Sequence, residues 1–95
     1  MKITIEELQE YLFDHYKNGG IDQSLFMKLV EEIGEVAEVL NKKAGRKSVG
    51  QEDLQTQLGN ELADVVHYTI AIAALNGIDT VSYTHLRAHE TLANL

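Results

Sequence analysis

The chemistry open to this chain is concentrated in two acidic steps, Glu32-x-x-Glu35 and Glu61-x-x-Asp64, each set in an apolar segment of helical period. Residues three apart on a helix project to one side, so each step presents two carboxylates together. Two such helices lying side by side bring four carboxylates toward one point, an arrangement that repels itself unless a divalent cation lies among them. Hard oxygen donors suit magnesium or manganese, and magnesium in proteins usually holds a phosphate-bearing substrate. The spacing therefore predicts a metal site for phosphate chemistry. Taken alone, Glu31, Glu32, Glu35 and Glu38 read more readily as the wet face of an amphipathic helix. The second step shifts that balance: Glu61 and Asp64 stand among Leu58, Leu62, Val65 and Val66, where a carboxylate needs a cation or hydrogen-bond donors.

The elements that must position these groups are helices. The chain has no proline, and glycines at 19, 20, 45, 50 and 77 punctuate it. A first helix opens at Thr4, which forms a capping box with Glu7, and presents Ile5, Leu8, Leu12 and Tyr16 on one face. A second, capped by Asp22 or Ser24, runs to about Ala44 with the stripe Leu25, Leu29, Ile33, Val36 and Leu40. A third begins near Gln51 and stops at Asn76-Gly77, with Leu54, Leu58, Leu62, Val65 and Thr69 on its main face. At about 100° per residue, Glu32 and Glu61 each lie about 60° from their stripe centres, and Glu35 and Asp64 about 120°, on the same side. That matched offset favours one shared site. From Val65 to Leu75 the third helix is apolar nearly all round, which predicts cover from a second copy of the chain. A fourth helix from Asp79 or Thr80 has only the weak stripe Val81, Leu86 and Leu92.

Composition narrows the partners. Ninety-five residues make one domain with a modest core, so homo-oligomerisation is a natural way to complete it. With 15 acidic against 8 basic side chains, the formal charge of -7 disfavours nucleic acid and anionic membranes, and an anionic substrate then needs a metal bridge. The lack of cysteine excludes disulfides, thiol catalysis and zinc-thiolate sites. No stretch reads as a signal peptide or a bilayer span, and the default expectation is a soluble cytoplasmic protein.

The run Leu29-Val-Glu-Glu-Ile-Gly-Glu-Val-Ala-Glu38, followed after a linker by Asn60-Glu-Leu-Ala-Asp-Val-Val-His-Tyr68, resembles the E-E-x-x-E and E-x-x-D signature of the MazG-like all-α nucleoside triphosphate pyrophosphohydrolases. The resemblance covers roughly residues 22–79, and it is specific because both halves occur in order on consecutive helices. It implies an all-α bundle assembled as a homodimer or homotetramer that cleaves between the α and β phosphates of a nucleotide. It also implies that Glu32, Glu35, Glu61 and Asp64 bind Mg2+, or Mn2+ in its place, and that Tyr68 contacts the nucleotide. Glu31 fills the first acidic position; Glu31 and Glu35 are the candidates to take the proton of an attacking water.

Lys42, Lys43, Arg46 and Lys47 hold half of the basic side chains and are candidates to grip phosphates, although cations at a helix C-terminus also complement its dipole. Asp64-x-x-His67 has the spacing of a di-iron ligand pair, but only one such pair is present, and His67 reads as a surface or packing residue. Residues 1–79 form the expected helical domain. The string from Thr80 resembles translated adapter read-through, so residues 80–95 are expected to be a non-native replacement of the family's last helix. Two rival functions fit the same residues: a phosphoribosyl-ATP pyrophosphohydrolase, and a noncatalytic helical dimerisation module whose acids are solvated.

Overall fold

The computed structural model describes residues 2–19, 22–45 and 53–93, and among these the regular structure is helical throughout. Four helices follow in order: α1 (Ile5–Tyr16), α2 (Asp22–Lys43), α3 (Leu54–Leu75) and α4 (Thr80–Ala93). Local chemistry fixes their ends. At α1 the Glu7 N–H donates to Thr4 Oγ1 at 3.1 Å and the Thr4 N–H donates to Glu7 Oε1 at 3.0 Å, the expected capping box. At the end of α3 the Ile78 N–H reaches Ala73 O (2.9 Å) and the Gly77 N–H reaches Ala74 O (3.2 Å). This is a Schellman motif, and Gly77 takes the positive φ of 65° that it requires. Gly45 (φ 76°) ends α2 in the same left-handed conformation.

Two boundaries differ from the sequence reading, and the last helix begins where it was expected. α3 starts at Leu54 rather than near Gln51, because the Asp53 carboxylate accepts the Thr56 N–H at 3.1 Å and so caps the helix there. Gln51 itself lies outside the described residues. α2 already includes Asp22, which leaves Ser24 inside the first turn instead of at the cap. The weakly patterned tail forms a helix of 14 residues from Thr80, capped by Asp79, whose carboxylate accepts the N–H groups of Val81 and Ser82.

The chain divides into two compact units. One holds α1, α3 from Ile70 onward, and α4. Its core is Leu12 with Ile70, Ala71, Ala73 and Ala74, and Gln9 ties α1 to the α3–α4 turn by donating to Ile78 O at 2.7 Å. From Ile70 onward the apolar end of α3 is thus largely covered within this unit, while Val66 stays 45% exposed. A hollow of about 480 Å³ remains beside Ile5 and Ile70, and α4 walls it with Val81, Thr84, His85 and Ala88.

The other unit holds α2 and α3 as far as Thr69. Lys28 faces Tyr68, Glu32 meets Glu61 and Asp64, and Glu35 meets Glu61, so the two helices run antiparallel. The inward line of α2 is Leu25, Leu29, Glu32, Val36 and Val39, while Ile33 and Leu40 are about half exposed. On α3 the inward line is Leu54, Leu58, Glu61, Val65 and Tyr68, while Leu62 turns outward. Both stripes are therefore rotated from the expected ones. Each now contains its glutamate, about 25° from the centre of the α2 face instead of about 60°.

Candidate metal centre

The two inward lines share one spacing. Leu25, Leu29, Glu32, Glu35 and Val36 on α2 recur 29 residues later as Leu54, Leu58, Glu61, Asp64 and Val65 on α3. In the antiparallel pair Glu32 and Glu61 stand at the centre of the seam and face each other. Oxygens of Glu32, Glu61 and Asp64 all lie within 4.8 Å of one another. Opposite ligands of a cation with bonds of 2.0–2.1 Å stand about 4.2 Å apart, so this group needs little contraction to enclose one.

The electrostatics of the group show what it lacks. Glu32 Oε2 and Glu61 Oε2 are both buried and meet no hydrogen-bond donor. A buried carboxylate oxygen without a donor is costly, and it is removed either by a proton or by a cation. Burial pushes the Glu32 carboxyl above its usual range, and the nearby Glu35 and Asp64 carboxylates push it further. Glu61 is pushed up to about 7, first because Glu35 lies within hydrogen-bonding reach of its protonated form, then by burial and by the charges of Glu35 and Glu32. These carboxyl contacts become hydrogen bonds only when one partner carries a proton. All donors are hard oxygens, as magnesium or manganese requires. The residues fit a divalent cation.

Of the site residues expected from sequence, Glu32, Glu35, Glu61 and Asp64 are brought together. Glu31 is not: it stands on the exposed side of α2 and its carboxylate pairs with Lys28 at 3.4 Å. Tyr68 is half-buried one turn beyond Asp64, with its ring edge-on to His67 at 4.8 Å between centroids. Lys42 and Lys43 occupy the last turn of α2. Lys42 lies on the Glu35 side, about 10 Å farther along the axis. Arg46 and Lys47 lie outside the described residues. Lys28 is a neighbour the sequence reading missed; its ammonium faces Glu31, Tyr68 and Glu32 and is held charged by them. Its signal was present, since it is the one basic residue between Lys17 and Lys42 and lies four residues before Glu32.

Comparison with known proteins agrees with this geometry. The model of the MazG nucleotide pyrophosphohydrolase domain matches residues 22–85, which takes in α2, α3 and the first turn of α4. No curated protein and no solved structure matches the chain. The matching family comprises hydrolases of nucleotide pyrophosphate bonds that generally depend on a divalent metal. Since the match spans well over half of the 95 residues and contains both acidic steps, this chain belongs to the MazG nucleotide pyrophosphohydrolase domain family.

Proposed function

We propose that the protein is a magnesium-dependent nucleoside triphosphate pyrophosphohydrolase, converting a nucleoside or deoxynucleoside triphosphate and water to the monophosphate and pyrophosphate. The observation that carries this reading is the pair of buried, donorless oxygens on Glu32 and Glu61, which with Asp64 form one group that Glu35 adjoins. Glu32, Glu61 and Asp64, with Glu35 beside them, hold the cation. When bound, magnesium neutralises phosphate charge and helps to place the attacking water.

The chain's own residues do the rest. Glu35 is exposed at the rim of the group and accepts the proton of the water that attacks the α-phosphorus, while the α–β bridging oxygen leaves with pyrophosphate. Glu31, held against Lys28, is the second candidate base. Lys28 and Lys42 lie on the same side as Glu35 and draw a polyphosphate toward it in a chain that is otherwise acidic; Lys43, Arg46 and Lys47 extend that positive stretch. Tyr68 is the aromatic group placed to meet the nucleoside. Manganese serves as a substitute metal. The role that fits is removal of aberrant or surplus nucleotides, by a homodimer or homotetramer formed through the exposed apolar side chains of α2 and α3.

The test is product analysis with a panel of canonical and modified triphosphates, in magnesium and in chelator. Monophosphate and pyrophosphate formed only with the metal are expected. Release of single phosphate would overturn the cleavage position, and no turnover of any substrate would overturn the activity.

A further inference from the structure

Lys28 and Lys42 stand seven residues to either side of Glu35. Each is about 10 Å from it along α2 and on the same side of the helix, so the rim of the carboxylate group has a cation beyond each end. The two ends are not alike. At the first, the Lys28 ammonium pairs with Glu31 at 3.4 Å and also faces Glu32 and Tyr68. Tyr68 is half-buried, and Phe26, the only other phenylalanine or tyrosine in α2 and α3, stands about 160° round α2 from Lys28. The first end therefore holds an aromatic ring, one cation and two carboxylates.

The second end is more positive. Lys42, half-buried, and Lys43, exposed, follow one another in the last turn of α2, and Glu38 is the one carboxylate in the turn before them. Side chains on a helix lean toward its N-terminus, which carries the Lys42 ammonium back toward Glu35 on a flexible stem. A nucleoside triphosphate has the same asymmetry. Its nucleoside end is aromatic and carries only the single charge of the α-phosphate, whereas the β- and γ-phosphates hold most of the negative charge. Matching charge to charge and ring to ring leaves one direction for it.

We infer that the substrate lies along α2 with its nucleoside at Tyr68, its α-phosphate within reach of Lys28, and its β- and γ-phosphates toward Lys42. The inference rests on the nucleotide reading given above and adds a direction to it, with a separate task for each lysine. Lys28 holds the part that becomes the monophosphate. Lys42 holds the part that leaves as pyrophosphate.

Calorimetric titration of the whole chain in magnesium tests it, with the two products as probes: inorganic pyrophosphate, and the four common deoxynucleoside monophosphates one by one. Lys28→Gln and Lys42→Gln remove one charge each, and circular dichroism checks that both remain helical. Lys42→Gln should weaken pyrophosphate about tenfold and the monophosphates much less, while Lys28→Gln should do the reverse. Lys42→Arg keeps the charge and should retain most of the pyrophosphate affinity. A lysine that only complements the helix dipole would weaken both probes alike or neither; that result, or the reversed pattern, would overturn the inference. So would a wild type that binds neither product, while turnover of the triphosphate panel decides the activity separately.

Discussion

Glu61 holds its proton more tightly in the folded protein than in the unfolded chain, because its carboxyl is raised from 4.5 to about 7. A raised carboxyl favours the folded state below the unfolded value, and that contribution is lost as pH climbs through the folded one. The capping carboxylates Glu7, Asp53 and Asp79 act in the opposite sense: hydrogen bonds from Thr4, Thr56 and Ser82 lower them, so their contribution fades only in more acid solution. Between pH 5.5 and 8, then, the metal-free protein should melt at progressively lower temperature, as thermal unfolding in chelator will show. Saturating magnesium should raise the midpoint more at pH 8 than at pH 5.5, since at the lower pH it must displace a proton. Glu61→Gln removes the charge but keeps the shape. It should melt above the wild type at pH 8 in chelator, lose the response to magnesium, and reduce turnover by about 100-fold or more. Retained turnover in that variant would remove Glu61 from the site. The convergence of Glu32, Glu35, Glu61 and Asp64 was legible in sequence because their spacing is periodic. The proton shared near Glu61 was not, since it depends on how closely Glu35 approaches.

At the scale of elements, the sequence defined the helices better than their orientation. α2 carries two neighbouring lines of like spacing, Leu25-Leu29-Glu32-Val36-Val39 and Phe26-Val30-Ile33-Ala37-Leu40, and the second is the more apolar. Hydrophobicity alone drew the expected stripe toward Ile33 and Leu40. The fold turns the glutamate-bearing line inward instead, and that rotation brings Glu32 to Glu61. α4 shows the opposite case, a helix formed with little packing to hold it. Its larger apolar side chains Leu86 and Leu92 are 52% and 68% exposed, whereas Leu12 of α1 is fully buried. Leu12→Ala should therefore cost about 2–5 kcal/mol, and Leu92→Ala no more than about 0.5 kcal/mol, in denaturant unfolding. A large loss at Leu92 would show that α4 packs more firmly than its exposure indicates. We propose, on the same grounds and on its unusual sequence, that the segment from Thr80 stands in for a different final helix.

The whole molecule concentrates its chemistry in one of its two units. Glu32, Glu35, Glu61, Asp64 and Tyr68 all lie between Ile21 and Thr69, while α1, α4 and the end of α3 form the other unit. A cation held by these carboxylates would tie α2 to α3 within one unit. Hydrogen exchange with and without magnesium should accordingly show added protection in Asp22–Lys43 and in the first part of α3, with little change in α1 and α4. Uniform protection of the whole chain would mean that the units open together. This division could not be read from the sequence, where α3 appears as one uninterrupted apolar helix; it emerges from which neighbours each half acquires.

The 29-residue repeat of leucines, carboxylates and valine has a further consequence for how little information the site needs. One helix with that pattern, laid antiparallel against a duplicate of itself, would generate the same convergence of carboxylates without any connecting segment. The two halves here differ at the outer acid, where Asp64 is one methylene shorter than Glu35. That single asymmetry distinguishes the two edges of an otherwise mirrored design.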